Sequence, residues 1–565
     1  MNNKELQETD IWTLYKKCHA FLESRGIYTD TDLNNRMYNG DQLKGLKVEG
    51  VEKIQHNFIK QVVKTKTSRI TANDFGINYS PENIENPEFL EMAQKTCDLL
   101  NKKASKVWDK DFMDHKTRKW VKKSAINDES ICYVYYNFDE DMPVNEIIAK
   151  NDIMYGDENE DDIQLQPYIL LRQRKTIIEL ENMAAENKID KKQIENISGD
   201  KDTGTAAGDD AKDEVDDKVW LITKFYRKNG LIHYSQATQY CEVTPEKNMG
   251  IPLYPIEHLN WEDQEGNARG VGEVRQLIPN QLETNKTAMR RAITVKNISY
   301  PQRVVNEDSI QNIDSVNKIG ATIRFKDLGN TKASDVFMMT TPGQMGPDSE
   351  KLQNELITLS KELNNAGEAT TGNINPESAS GKAILAIQNA QNQPLTDQLV
   401  NTKTFLEGIA RIWFEMWKAY AKNGLVIEVE DIDYVTGQKS VRIEKVENYI
   451  LEALKTSVKV DITPKGSFDK YAQELSIENM FIQGKITFEE YVEALDTDSV
   501  MPKSKLETIL KKRKAAQDKI KELEMQGQMI KQQAIQKNAN AMDIQNIANQ
   551  GNQLINQYLD NQATV

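Results

Sequence analysis

The chain is poor in the residues from which most catalytic and metal centres are built. Its 565 residues include only 4 cysteines and 5 histidines. Cys18, Cys97, Cys132 and Cys241 lie far apart and form no CxxC, so neither a zinc ribbon nor a disulfide framework is expected, and the thiols read as reduced and buried. The histidines (His19, His56, His115, His233 and His258) fit neither HxxxH nor HExxH, and no metal site is expected. No apolar run approaches the ~20 residues that cross a bilayer, so no membrane partner is expected. The first eight residues carry acids and no apolar stretch, unlike a secretory signal. An excess of positive charge is also missing. Against 87 Asp and Glu stand 72 Lys and Arg, a net charge of −15. That argues against coating DNA by charge alone, but not against surrounding DNA without gripping it.

Near-motifs fail on inspection. Gly381-Lys382 looks like the end of a phosphate loop, yet Ala383 follows the lysine and Pro376 stands where the first glycine belongs. Gly270-Val271-Gly272-Glu273 lacks the third glycine of a dinucleotide loop and reads as a helix start. Asp157 to Asp161 has the early spacing of a calcium loop, but Asp162 and Tyr168 occupy its sixth and twelfth positions. No catalytic residue is nominated, no cofactor is called for, and enzymatic activity is not expected.

What is present is mostly helical patterning. Trp12, Leu14, Tyr15, Cys18 and Phe21 recur at helical spacing, as do residues 57–70, and Phe89 to Trp120 reads as one long helix. Ile131 to Tyr136 is β-branched and aromatic, a strand. Val219–Tyr226 and Leu231–Val243 flank Asn229-Gly230, a strong hairpin signal. Residues 198–218 carry eight acids, three lysines and one large apolar residue, Val215, and read as a mobile surface insertion. Gly270 to Ser299 is helical with Pro279 near its start. Short strands follow at 302–305, 321–325 and 335–339, then a helix over 348–364. A polar Gly/Ser/Thr/Asn-rich loop, 367–381, leads into a long helix from about Lys382 to Lys422, in which Pro394 predicts a kink. Phe405, Ile409, Ile412, Trp413, Met416, Trp417 and Tyr420 form an apolar stripe that reads as core. Leu425–Tyr434 and Ser440–Glu444 form another hairpin, Ser457–Thr463 a strand, and Thr487 to Glu490 a capping box. From Leu506 to Tyr558 a heptad places Leu, Ile, Ala or Tyr at twelve of sixteen a and d positions, which suits weak helical association.

This order of elements resembles that of the portal proteins of tailed bacteriophages. Tyr38-Asn-Gly40-Asp-Gln42, then Asn57-Phe-Ile-Lys60 and Val63, is similar to the family's opening motif. Ala125–Ser130 running into Ile131–Tyr136 resembles its turn and strand. Ile251–Pro255, Gly270–Glu273, Leu277, Gln281 and Asn285 resemble the junction into its first stem helix. Thr370 to Ala383 is similar to its tunnel loop, and Gln483–Thr487 to a crown hairpin.

The resemblance implies an α+β fold, predominantly helical, with clip, stem, wing and crown, assembled as a ring. Its segments would be 1–269 wing, 270–299 first stem helix, 300–346 clip, 347–366 second stem helix, 367–381 tunnel loop, 382–465 long kinked helix and wing strands, and 466–565 crown and Gln/Asn-rich tail. It implies a homo-oligomer, a dodecamer, at one capsid vertex of the virion, formed in the host cytoplasm during assembly. Double-stranded DNA would pass through its channel without sequence specificity. The large terminase, the head–tail adaptor and the major capsid or scaffold protein would be its partners. Thr370, Thr371, Asn373, Asn375, Ser378, Ser380 and Lys382 would line the tunnel loop, and Lys286, Arg290, Arg291 and Lys296 would face the channel or a neighbouring subunit. The alternative is another virion connector or scaffold-associated protein without a DNA channel.

Overall fold

In this computed structural model, which describes residues 7–45, 53–82, 87–197, 218–299, 303–315, 318, 322–326, 332, 337–339, 347–363, 393–421, 424–432, 439–464, 477–478, 480–495, 505–506 and 508–510, the amphipathic N-terminal segment forms three helices. They are α1 (Asp10–Ser24), α2 (Ile27–Asn39) and α3 (Phe58–Ile70). The Thr9 hydroxyl and the Asn57 side-chain Oδ1 cap α1 and α3, and Gly26 and Gly40 take the left-handed conformation that bounds α2. Strand β1 (Asn73–Pro81) follows.

The long helix expected over 89–120 is divided into α4 (Pro87–Lys110) and α5 (Met113–Asn127). Phe112 adopts φ 53° at the break. Asp111 explains the interruption. Its carboxylate is buried, and it accepts from Lys116 Nζ at 2.5 Å and from the N–H and Nδ2 of Asn145 at 3.0 and 2.7 Å. A continuous helix would forfeit these bonds and leave the charge unpaired.

A three-stranded antiparallel sheet, in the order β3-β2-β9, contains β2 (Glu129–Asn137), β3 (Met142–Ile148) and β9 (Ile256–Asn260). A five-stranded antiparallel sheet runs β4 (Ile153–Tyr155), β5 (Tyr168–Thr176), β6 (Lys218–Lys228), β7 (Leu231–Ala237), β8 (Glu242–Asn248). Helices α6 (Ile177–Glu186) and α7 (Lys191–Ile194) follow β5, and a Thr176–Glu179 capping box starts α6. The β6–β7 hairpin turns at Asn229 and Gly230, both with positive φ. The second strand ends at Ala237, and Val243 belongs to β8. Thr238 closes the intervening turn, pairing with Cys241 through its N–H at 2.8 Å and its hydroxyl at 3.2 Å.

The main core draws on both sheets: Ile131, Ile148, Ile153, Tyr155, Ile169, Leu171, Phe225 and Ile256 are buried together. On the other face of the five-stranded sheet, Leu170, Met154 and Ile222 pack against Trp12, Tyr15 and Leu22 of α1. The four cysteines are free thiols, three of them buried.

Two short strands, β10 (Glu262–Gln264) and β11 (Asn267–Val271), precede α8 (Glu273–Ser299). Gly270 therefore closes a strand, and the helix begins three residues later than the sequence suggested. Beyond α8 come β12 (Arg303–Val305), β13 (Phe337–Met339), α9 (Asp348–Leu363) and α10 (Thr396–Tyr420). Phe405, Ile409, Ile412, Trp413, Met416 and Trp417 of α10 are buried, as the apolar stripe predicts, and Tyr420 is half-buried. Pro394 sits in a 3-10 turn, Gln393–Leu395, and α10 follows it from Thr396. A ring that fixes φ and lacks an N–H is easily accommodated there. The earlier part of the expected long helix, 382–392, lies outside the described residues.

The chain falls into two compact units, Met1–Asn423 with Asn448–Thr463, and Gly424–Glu447 with Pro464–Val565. The first also contains α11 (Asn448–Ala453) and β16 (Thr456–Pro464), which pairs with β1. In the second, β14 (Leu425–Ile432) and β15 (Lys439–Val446) form the expected hairpin. There too α12 (Phe488–Ala494) starts on the Thr487–Glu490 capping box and contributes to a cluster with Phe481, Leu506 and Leu510. The 198–217 stretch and the heptad beyond 510 lie outside the described residues. The protein is thus a mixed α and β chain.

Candidate functional site

Helices α8 and α9 form an antiparallel pair. Asn280 Nδ2 donates to Ser360 Oγ at 3.0 Å, and Arg291 donates to Gln353 Oε1 at 2.8 Å and lies 3.5 Å from Glu350. As α8 advances from 280 to 291, its partner on α9 recedes from 360 to 350. Between the helices in sequence, β12 and β13 pair antiparallel, Arg303 opposite Met339 and Val305 opposite Phe337. Ile310 forms an isolated bridge with Phe325, and a small core gathers Val305, Ile310, Ile313, Ile323, Phe325 and Phe337. The pattern is a two-helix hairpin with a small β module inserted between its helices.

Residues far apart in sequence hold the root of this hairpin. Gln281 and Asn285, one turn apart on α8, are completely buried. Gln281 Oε1 accepts from the N–H groups of Phe58 and Ile59 at 3.1 and 3.4 Å, and its Nε2 donates to the His56 carbonyl at 2.6 Å. Asn285 Oδ1 accepts from His56 N–H at 3.1 Å, and its Nδ2 donates to Gln42 Oε1 at 2.6 Å. The first turn of a helix has backbone N–H groups without helical partners. Here α8 supplies the acceptors for α3. Asn57 completes the cluster by donating to the Tyr38 carbonyl at 3.0 Å.

The beginning of α8 is anchored by charge. Lys66 Nζ lies 2.8 and 2.7 Å from the two carboxylate oxygens of Glu273, which is fully buried, and Trp261 Nε1 donates to the same carboxylate at 3.3 Å. Gly272 N–H donates to Asp128 Oδ1 at 2.8 Å, while Asp128 Oδ2 is paired with Lys150 at 2.6 Å. A Cβ on Gly272 would stand 2.9 Å from Asp128 N and Oδ1, so glycine is what permits this approach. Close by in the chain, Arg269 is buried between Glu129 and Glu158, donates to the Ile153 carbonyl at 3.2 Å, and lies over the Tyr155 ring at 4.9 Å. The two carboxylates hold its guanidinium pKa above the ordinary arginine value against the cost of burial. Glu158, the second residue of the expected acidic loop, is thereby committed to an internal ion pair.

The basic residues of α8 do not share one role. Lys286 and Arg290 are more than half exposed and share a single carboxylate, Glu283, at 3.6 and 3.0 Å. Arg291 turns toward α9 instead. Lys296 lies exposed near the end of the helix. The exposed side of α9 carries leucines among charged and polar residues: Leu352, Leu359 and Leu363 are 47%, 52% and 77% exposed, beside exposed Glu350, Lys351, Glu355 and Glu362, while Gln353 and Ser360 are buried. Val295, Ile298, Val304 and Met338 are exposed as well. The tunnel-loop candidates Thr370, Thr371, Asn373, Asn375, Ser378, Ser380 and Lys382 lie outside the described residues.

No group of three or more His, Cys, Asp or Glu arranged to hold a metal ion occurs among the described residues. No helix among them is long and apolar enough to cross a membrane. No family model matches the chain, and no curated protein matches it in sequence.

Proposed function

We propose that the chain is a portal-type protein. It assembles as a ring, a dodecamer, at one capsid vertex, conducts double-stranded DNA during packaging and ejection, and docks the terminase and later the head–tail adaptor. The observation that carries this reading is the α8–α9 hairpin with its inserted β module. It is rooted in the α and β body through the residues that carry the sequence resemblance: Tyr38, Gln42, Asn57, Gly272, Gln281 and Asn285.

The surface chemistry supports the same reading. A polar seam of hydrogen bonds and an ion pair joins the two helices within one chain. The outward leucines of α9 and the exposed Val295 and Ile298 of α8 offer the apolar area that a neighbouring copy would cover. Lys286 and Arg290 leave one surplus positive charge beside Glu283, enough for transient phosphate contacts. An acidic chain with only local basic spots lets a duplex slide, because a tight grip on many phosphates would stall it. The β module at 300–346 would meet terminase and adaptor, and ATP hydrolysis would be the terminase's task.

Electron microscopy of purified protein is expected to show rings of about twelve subunits, in line with the closed symmetry of most homo-oligomers. A monomer that persists at high concentration refutes the reading. Shortening 370–380 is expected to impair DNA packaging while leaving the rings intact.

A further inference from the structure

Away from the α8–α9 hairpin, a groove of about 320 Å³ opens between the ends of two strands. One wall is Glu146 to Ala149 of β3 and its following turn; the other is Arg172 to Lys175 of β5, with Lys123 of α5, Asp152 and Trp220 of β6 completing it. Both walls are strand edges. β3 is terminal in its sheet, and β5 loses its β4 neighbour beyond Leu171, which pairs with Ile153. Gln173 Nε2 reaches across to Glu146 Oε2 at 3.1 Å.

The lining is cationic. Four basic side chains, Lys123, Arg172, Arg174 and Lys175, meet two acidic ones, Glu146 and Asp152. Arg172 is already used: its Nε donates to Asp152 at 2.8 Å and its NH1 to the Tyr15 hydroxyl at 3.1 Å. Arg174 is not. Its Nε is shielded from solvent and has no hydrogen-bond partner among the described residues. Trp220 holds both guanidiniums, at 4.5 Å from Arg172 and 5.0 Å from Arg174, which fixes the arginines at little entropic cost to a ligand. Burial lowers the pKa of Lys123, Lys119 pushes the same way, and Asp152 opposes. A bound anion would relieve that strain on the charged form.

We propose that this groove binds an extended acidic peptide of a partner protein, which adds as a strand along the open edge of β5 and places carboxylates against Arg174, Lys123 and Lys175. Backbone pairing gives such a mode its affinity, and the side-chain pockets give it preference. Neither element depends on the portal reading, since the groove lies in β3 and β5 and uses no residue of α8 or α9.

The test is a titration of the full-length protein with a fluorescein-labelled peptide alternating Glu and Val, read by anisotropy. Saturable binding is expected, with affinity falling roughly tenfold between 50 and 300 mM salt as its charge contacts are screened. Arg174→Ala is expected to weaken binding roughly tenfold, and Arg174→Ala with Lys123→Ala by roughly a hundredfold, while Arg174→Lys retains most of it. Unchanged thermal melting of these variants separates loss of the site from loss of the fold; if Arg174→Ala does not fold, Lys175→Glu carries the same expectation of weaker binding. Peptides N-methylated at alternate amides are expected not to bind on one of the two registers. Equal binding by both registers refutes strand addition. Binding of inorganic phosphate with no binding of the peptide overturns the proposal in favour of a simple oxyanion pocket, and binding unaffected by Arg174→Ala and Lys123→Ala overturns the site.

Discussion

The Lys66–Glu273 pair is where the helical hairpin is fastened, and it can be taken apart one charge at a time. Glu273 has no exposed surface, and the side chain of Lys66 is 9% exposed. Replacing Glu273 by Gln keeps the shape but leaves the Lys66 ammonium buried without a counter-charge. Replacing Lys66 by Met leaves the Glu273 carboxylate, among the described residues, with only the Trp261 N–H at 3.3 Å. Either single change is expected to destabilise by about 3–5 kcal/mol, the usual cost of an uncompensated buried charge. At roughly 2–4 °C per kcal/mol for a sizeable domain, melting should fall by about 10 °C. The double variant, Lys66→Met with Glu273→Gln, removes both charges and is expected to recover to within ~2 kcal/mol of the parent. Chemical denaturation followed by circular dichroism gives the three free-energy differences. Two results refute the reasoning: a single variant costing under ~1 kcal/mol, which would mean water reaches the pair, or costs that simply add in the double variant.

Gln281→Leu removes the acceptor shared by the Phe58 and Ile59 N–H groups and one donor to the His56 carbonyl, leaving the Phe58 N–H to His56 carbonyl bond at 3.0 Å, and is expected to cost roughly 1–3 kcal/mol, with hydrogen exchange accelerated at Ile59; unchanged exchange there contradicts the capping role. Glu257 on β9 packs against Gly408 of α10, where burial and then Asp162 push its carboxyl up to about 8, against the opposing pull of the His258 backbone and Arg411. A raised folded-state value favours folding below the unfolded value of 4.5 and is lost as pH rises through about 8, so the stability of Glu257→Gln relative to the parent should increase across that window by on the order of 3–5 kcal/mol; parallel pH profiles would exclude a buried carboxyl. Leu359→Glu on the exposed face of α9 should leave thermal stability within ~0.5 kcal/mol of the parent and abolish assembly in light scattering, whereas a collapse in stability would show that the leucine is needed inside the subunit.

Much of the fold was legible where local chemistry dominates. The Asn229-Gly230 turn, the Thr487–Glu490 capping box and the stripe around Trp413 and Trp417 are each specified by residues a few positions apart, and the structure places them as the pattern requires. In the five-stranded sheet the β6–β7 hairpin was legible, whereas β4 and β5 were overlooked, the latter for a physical reason. Ile169 to Leu171 is buried on both faces, so β5 has no alternation to display. The break at Phe112 was invisible because helical periodicity continues through it; only the distant Asn145 gives Asp111 a reason to leave the helix. The same holds for the candidate site. The sequence marked Gln42, Asn57, Gln281 and Asn285 by resemblance, but not that they meet.

By itself, then, the sequence determined the acidic balance, the scarcity of metal-binding and thiol chemistry, and the order of helix, β module and helix. These follow from composition and short-range periodicity. The tertiary structure alone decided which buried polar groups pair, that Glu273 answers Lys66 across 207 positions, and that Arg291 turns to α9 while Lys286 and Arg290 face outward. Buried charges and amides must find partners wherever the chain brings them. Those partners are set by packing between distant segments, which no local pattern encodes.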